Sequence, residues 1–234
     1  MKNNEVAFFL PTRKGSERVK NKNTRDFAGI KGGLLENKLR QLINSEKIDE
    51  IILSTNDEEC INITAPYTEK YSRVKIVRRP DELCMDSTNL QDLISYVPAI
   101  TDAQHILWGH VTTPFVDEAE YDNAIEVYFS KLKENYDSLI GVLGVKNFFL
   151  NKEGVIINNT TPLTWPRTQD LDTLYEINHA VFLAKREIYE EQKNRIGENP
   201  YLYEMDKLKS FDIDWEEDFV MAEIICHFKN SSIV

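Results

Sequence analysis

The sequence predicts an α/β protein with a mostly parallel sheet flanked by helices, on two observations. Short β-rich apolar runs alternate with segments of helical periodicity, and the order of strand then helix repeats four times. The chain has 234 residues, long enough for one sizeable α/β unit and short for two, so a single domain over 1–234 is expected.

The strands are read at Val6–Leu10, Glu50–Ser54, Val74–Val77, His105–Gly109 and Ser138–Val145. Helical patterns cover Leu34–Ser45, Thr88–Ile100, Glu118–Lys133 and Glu216–Phe228. In the first of these, Leu35, Leu39, Leu42 and Ile43 fall on one face. Another strand runs from His179 to Leu183, directly after Asn178. The stretch at about 147–173 breaks the rhythm. Phe148–Leu150 and Val155–Ile157 flank Asn151-Lys152-Glu153-Gly154 as in a hairpin, and a loop with Pro162 and Pro166 comes next. This is either a surface excursion or an arm that packs on another subunit. Its apolar content is high for a solvated hairpin, which favours the arm.

Lys and Arg number 28 against 39 Asp and Glu, a formal charge of −11. Such a surface repels nucleic acid and anionic membrane, so neither is expected as a partner. The first apolar stretch, Val6–Leu10, is too short for a signal-peptide core or a bilayer span, and a cytoplasmic protein is expected. Cys60, Cys84 and Cys226 have no metal-ligand spacing and read as reduced thiols.

Parallel sheets bind ligands beyond the carboxyl ends of their strands, which directs attention to the loops after Leu10, Ser54, Gly109 and Val145. The first loop carries Arg13, Lys14, Arg18, Lys20, Lys22 and Arg25 in an otherwise acidic chain. Gly15 frees the backbone so that N–H groups can converge on an anion, and Ser16 adds a hydroxyl donor. Arg13 as a fork and Lys22 as a point charge can enclose a polyphosphate. The spacing is not that of a P-loop, so a simple ATPase is not indicated.

Asp212 and Asp214 stand two apart, on one side of an extended segment, and two convergent carboxylates suit Mg²⁺. The same segment also reads as a helix cap, with Asp214 before the helix and Glu217 three residues on. Asp86-Ser87-Thr88 opens a helix as a cap or reads the edge of a base, beside Arg78-Arg79-Pro80. His110 and Thr112 end the fourth strand before the turn at Pro114, where His110 is either structural or lines a pocket. Arg167, Gln169, Asp170 and Asn178 form a polar set around the arm, with Arg167 a natural partner for a carboxylate.

These residues together resemble the acylneuraminate cytidylyltransferases, or CMP-sialic acid synthetases, including the pseudaminic and legionaminic acid branches. Arg13, Ser16, Lys22 and Asn23 match the signature A-R-x-x-S-K-G-[LI]-P-x-K-N, and Phe27-Ala28-Gly29 matches the family residues just beyond that signature. The series continues in order through Ser54-Thr55-Asn56-Asp57-Glu58-Glu59, Arg79-Pro80 with Leu83 and Asp86, Thr112-Thr113-Pro114-Phe115, Asn178 to Leu183, and Asp212-Ile213-Asp214 with Asp218 and Ala222-Glu223.

The resemblance implies a Rossmann-like nucleotidyltransferase fold and a homodimer whose arm inserts into the partner. It further implies Mg²⁺-dependent transfer of CMP from CTP to the hydroxyl of an acidic sugar. Arg13, Ser16 and Lys22 would hold the phosphates, and Arg13, Lys22 and Asp214 would serve the reaction centre. Leu10, Asn23, Arg79, Asp86 and Ser87 would line the nucleotide site, and His110, Thr112, Arg167, Gln169 and Asn178 the acceptor site. Asp212 and Asp214 would carry the metal. The sequence departs from the family pattern at Glu17, Arg18, Lys20, His110, Glu176 and His179. Glu176 stands where sialic acid synthetases have a second Arg, and His179 where they have Gly. The alternatives are cytidylyl transfer to another keto-sugar acid or a phosphonate, and a nucleotide-binding pseudoenzyme.

Overall fold

Strand β1 (Val6–Pro11) is buried along its first five residues, because helices cover both faces of the sheet. Its side chains alternate between two cores. Phe8 packs edge-on to Tyr121 on one face, and Phe9 packs edge-on to Trp108 on the other. That double burial is why the segment reads as an unbroken apolar run. The computed structural model describes residues 5–15 and 18–231.

Parallel partners flank β1 on both sides, β2 (Glu50–Thr55) and β4 (His105–Trp108), with β3 (Val74–Arg78) beyond β2. Past β4 lie β6 (Leu174–Lys185), β5 (Ser138–Val145) and β7 (Pro200–Glu204). The order is β3-β2-β1-β4-β6-β5-β7, and among the described strands β6 runs against the rest.

Helix α1 (Gly33–Asn44) buries Leu34, Leu35, Leu39 and Leu42 completely, each contributing roughly 1.5–3 kcal/mol. Gly33 has φ +63° and lies against the Arg25 carbonyl, where a side chain would collide. Helices α4 (Glu118–Lys131) and α6 (Glu216–Ser231) share this face through Tyr121, Ala124, Tyr128, Phe219 and Ala222. Helices α3 (Leu90–Tyr96) and α5 (Arg186–Glu191) contribute Ile94, Ile188 and Tyr189 to the other core.

Several boundaries differ from expectation. Helix α3 starts at Leu90, where the Asn89 side chain accepts from the Gln91 N–H, so Asp86 and Ser87 are not its cap. It passes into a 3₁₀ turn at Val97–Ile100, where Pro98 has no N–H to continue an α-helix. Helix α4 ends at Lys131, with a 3₁₀ turn over Leu132–Glu134 stopped by Asn135 at φ +68°. Helix α2 (Glu58–Lys70) has no counterpart in the sequence pattern, since Pro66 interrupts it and only Cys60 and Thr64 are buried. The short α5 and β7 likewise have none.

The expected hairpin in 147–173 is reduced to a single bridge, Leu150 with Ile156, turned at Gly154 with φ +78°. Leu150, Val155, Ile157, Leu163 and Trp165 are exposed there. Strand β6 is longer than its apolar segment because Leu174–Ile177 pairs with the outer half of β5. Between those halves lies a wide bulge. Ile140 faces Phe182 and Val142 faces Ile177, so four residues of β6, 178–181, stand opposite Gly141.

Candidate active site

The carboxyl ends of β1 and β4 open into a cleft of about 450 Å³. Pro11, Thr12, Arg13, Arg18, Lys22, Asn23 and Arg79 line one wall, and Met85, Asp86, Leu90 and Leu93 line another. Trp108, His110, Val111 and Thr112 form the β4 side. Of the residues singled out from sequence, Arg13, Lys22, Asn23, Arg79, Asp86, His110 and Thr112 therefore meet in one place. Ser16 and Glu17 lie outside the described residues.

The first loop is fixed by its backbone. The Lys14 N–H donates to Asn56 Oδ1 (3.1 Å), and Asn56 Nδ2 donates to Asp81 Oδ1 (3.0 Å). Gly15 has φ +85°, the left-handed region that glycine enters without strain. Arg13 Nη1 donates to the Cys84 carbonyl (3.3 Å) and forms an ion pair with Asp86. That pair is available because Asn89, not Asp86, caps α3. Arg79 is buried with no carboxylate partner among the described residues. Its guanidinium donates to the Thr12 carbonyl and, through Nε, to Cys84 Sγ (3.0 Å), so it supports the cleft wall from behind.

Lys22 reaches across the cleft mouth, donating to the Ile213 carbonyl (2.8 Å). Burial pushes its pKa down, and Asp212 and Asp214 oppose that shift. The Asp212–Asp214 segment is tied to the β4 loop by the Ile213 N–H on the Thr112 carbonyl (2.9 Å), and Ile213 itself is buried. This leaves the two aspartates on the side facing Lys22. Asp212 Oδ1 is buried with no hydrogen-bond partner, and burial pushes its pKa up. Asp214 pairs with Arg18 at 3.0 Å. The cap reading is corrected in detail: Asp218 Oδ2, not Glu217, accepts from the Asp214 and Trp215 N–H groups, so the Asp214 carboxylate is not used as a cap.

His110 accepts from the Trp108 indole N–H at Nε2 (3.2 Å), which fixes its tautomer with the proton on Nδ1. Burial pushes its pKa down to about 3, with Arg195 and His179 adding to the effect. In an unfolded chain the ring takes a proton below pH ~6.5, whereas the folded ring stays neutral. The unfolded state thus binds more protons between those values, and stability falls as pH drops through that window. His110→Gln should flatten this limb by on the order of 2 kcal/mol, a figure discounted because the ring is only half-buried. Urea unfolding of both proteins at pH 6.5 and pH 4 checks it, and parallel losses would remove His110 from the acid limb.

Five expected site residues lie elsewhere in this chain. Leu10 is wholly buried in the core, because the strand continues to Pro11 and its side chain points into packing rather than the cleft. Ser87 is exposed and does not line the cleft. Arg167 is exposed on the arm and grips Asp170 with two bonds, Nε to Oδ2 (2.8 Å) and Nη2 to Oδ1 (2.9 Å), and Gln169 is exposed beside it. Asn178 is buried, with Nδ2 donating to Met205 Sδ and Ser210 Oγ (both 3.1 Å) and Oδ1 accepting from the Ala180 N–H (3.1 Å). Its amide is spent on holding the β6 bulge.

Residues 7–231 match the family model described as cytidylyltransferase. The chain belongs to the cytidylyltransferase family. It is 27% identical over 236 residues to the N-acylneuraminate cytidylyltransferase of Escherichia coli O18:K1:H7, covering 97% of this chain and 53% of that protein. It is 23% identical over 234 residues to the pseudaminic acid cytidylyltransferase of Campylobacter jejuni serotype O:23/36, covering 95% of this chain and 97% of that one. The chain thus spans about half the length of the first relative and nearly all of the second. A solved structure of a CMP:2-keto-3-deoxy-manno-octonic acid synthetase complexed with CTP shares the fold, with TM-score 0.67 at 10% identity over 96% of this chain and 99% of that one.

The sequence pattern gives no site role to four residues of this chain. Arg18 sits in the basic loop but breaks the family pattern. Lys38, wholly buried in α1, falls on the leucine face, the one signal that would have flagged it. Arg195 lies on an unassigned loop, and His179 comes against His110 only through a bulge that no pattern encodes.

Proposed function

We propose that this cytidylyltransferase transfers CMP from CTP to the hydroxyl of a nonulosonic sugar acid and releases pyrophosphate. One observation carries the reading: Arg13, Arg18 and Lys22 converge on one cleft at the end of β1, in a chain of net charge −11, beside two aspartates. The family description and the relatives' names support cytidine and a sugar acid.

The hydroxyl oxygen of the sugar attacks the α-phosphorus of CTP. A new O–P bond forms, the bond to the β-phosphate oxygen breaks so that pyrophosphate leaves, and the hydroxyl proton passes to water. Arg13 and Lys22 neutralise the phosphates, Ser16 donates its hydroxyl to them, and Asn23 orients the nucleoside. Arg13 exchanges Asp86 for a phosphate, which frees the Asp86 carboxylate to accept from the cytosine amino group. Arg79 acts behind this wall by holding the Thr12 carbonyl and Cys84.

Asp212 and Asp214 suit Mg²⁺: Asp212 Oδ1 is a buried carboxylate oxygen without a partner, and Mg²⁺ takes one or two carboxylates together with phosphate oxygens. When bound there, Mg²⁺ would supply charge neutralisation for the triphosphate. His110 and Thr112 face the acceptor side. Arg167 and Gln169 act from the arm of a second subunit, and Asn178 acts by shaping β6.

The arrangement in two subunits is part of the proposal. Leu150, Val155, Ile157, Leu163 and Trp165 on the arm, with Tyr175, Ile177 and Leu202 on the sheet, leave large apolar side chains open. Light scattering at micromolar concentration should give twice the chain mass, and a monomer would contradict it. We assign the enzyme to the cytoplasm. Among the described residues no helix is long and apolar enough to cross a membrane.

The decisive experiment is pyrophosphate release from CTP, ATP, GTP and UTP against a panel of sugar acids. CTP with a nonulosonic acid should be preferred by at least about tenfold, which is about 1.4 kcal/mol of discrimination. Release with no sugar acid, or equal release from all four nucleotides, would sink the reading. A preference for another keto-sugar acid or a phosphonate would retain the nucleotide half and replace the acceptor.

A further inference from the structure

An acidic acceptor needs cationic or N–H donors on the β4 side of the cleft, because a carboxylate taken out of water without them is costly. Arg167 is exposed on the arm and already committed to Asp170 by both bonds of its fork. Glu176 supplies the wrong charge. Two other side chains pack against the β4-side cleft residues His110 and Trp108, and neither has been given a role.

The first is His179. Its backbone has φ +57°, the left-handed region where a non-glycine residue carries strain. The neighbouring Asn178 enforces this conformation by accepting from the Ala180 N–H across it, while its own amide is anchored on Met205 and Ser210. The bulge thereby turns the His179 ring toward the end of β4, with ring centres 6.1 Å from His110 and 6.1 Å from Phe182. The ring is exposed, and its nitrogens meet no hydrogen-bond partner among the described residues.

The second is Arg195. Its guanidinium carbon lies 3.7 Å from the centre of the Phe182 ring and 4.8 Å from that of Trp108. A cation held over the ring faces uses none of its N–H donors. Among the described residues the side chain has no carboxylate and no hydrogen-bond acceptor. Burial pulls its pKa down, and Tyr189 opposes that shift. A half-buried guanidinium on an aromatic shelf, with its fork uncommitted, is half of an ion pair. Phe182 lies against both Arg195 and His179, and Trp108 contacts both Arg195 and the His110 ring, which neighbours His179.

We propose that Arg195 and His179 together bind the carboxylate of the acceptor, Arg195 through its guanidinium fork and His179 through a ring N–H. This rests on the functional reading above and assigns the acceptor anchor to this chain's own β6 and the loop after α5. The strained histidine is thereby explained: glycine would fit the backbone better but would remove a donor.

The test is steady-state kinetics with CTP and whichever sugar acid the wild-type protein turns over fastest, using Arg195→Met, His179→Gly and His179→Gln. Arg195→Met keeps an apolar stem on Trp108 and Phe182. Both Arg195→Met and His179→Gly should raise the KM of the sugar acid by about tenfold or more while the KM of CTP stays within about twofold, the pattern of lost carboxylate binding. The preference for the free acid over its methyl ester should shrink in both. His179→Gly should melt at or above the wild-type temperature, since strain is relieved, and His179→Gln should recover part of the KM. If Arg195→Met does not fold, His179→Gly carries the test. An unmoved acceptor KM, or equal rises for CTP and acceptor, overturns the proposal. Wild-type protein that turns over no sugar acid sinks the functional reading and this inference with it, whereas normal turnover with an unmoved KM sinks this inference alone.

Discussion

Asp212→Asn should lower turnover by about two orders of magnitude, roughly 2.7 kcal/mol of transition-state stabilisation, while leaving the melting temperature unchanged or higher. The two halves of this expectation come from one atom. Asp212 Oδ1 is buried without a partner, and burial pushes the carboxyl pKa up. A buried polar atom left unpaired costs about 1–3 kcal/mol, so the apo protein loses nothing when the charge goes. The amide has the same shape and fits the same space, but it is a poor ligand for a hard cation. Asp214→Asn should lower turnover as well, and its loss of the exposed Arg18 pair should cost little stability. The measurement is kcat at limiting and saturating Mg²⁺ together with thermal unfolding. Activity within a few-fold of wild type at limiting Mg²⁺ would make the aspartates structural.

The sequence makes much of this fold and part of this site legible, and the reasons differ. Strands β1, β2, β4 and β5 are buried on both faces, so each carries an apolar run that needs no partner to be recognised. The phosphate-side residues Arg13, Lys22 and Asn23 come from one continuous loop, and their spacing survives in the chain. Helix α2 is hidden because its buried face is only Cys60 and Thr64 and Pro66 stands within it. The acceptor side is hidden for a different reason. It depends on a bulge opposite Gly141, on the path of an irregular loop to Arg195, and on the pairing of Arg167 with Asp170. Each of these is set by tertiary contacts between distant segments, which periodicity cannot report. The cap at α3 shows the same limit on a small scale. Asp86 and Asn89 are both good cap residues, and only the choice of Asn89 frees Asp86 to meet Arg13.

Lys38→Met should destabilise the protein by about 2–4 kcal/mol and lower the melting temperature by roughly 5–15 °C. Lys38 is wholly buried in α1, on the same face as Leu35, Leu39 and Leu42. Its ammonium has three donors and meets three acceptors: the Thr113 carbonyl (2.9 Å), the Val116 carbonyl (3.2 Å) and Tyr121 Oη (2.8 Å). The first two belong to the loop after β4, which also carries Thr112 in the cleft wall. Asn37 and Gln41 bind the Pro114 carbonyl at 3.1 Å and 2.7 Å, so this one turn of α1 fixes the loop. Methionine has nearly the same length but offers no donor to the two carbonyls and the tyrosine hydroxyl. Part of that cost is offset, because burial pushes the Lys38 pKa well below its usual value and the substitution removes the desolvated charge. The same shift sets a sign. The unfolded lysine holds its proton up to about pH 10.4 while the folded one releases it earlier, so the wild-type protein gains stability as pH rises toward that value and the variant does not share the gain. Urea unfolding at pH 7 and pH 9.5 measures both effects, with the KM of CTP reporting on the loop. If Lys38→Met unfolds within about 0.5 kcal/mol of wild type, the three hydrogen bonds contribute no net stability beyond what desolvation costs, and α1 does not anchor this wall of the cleft.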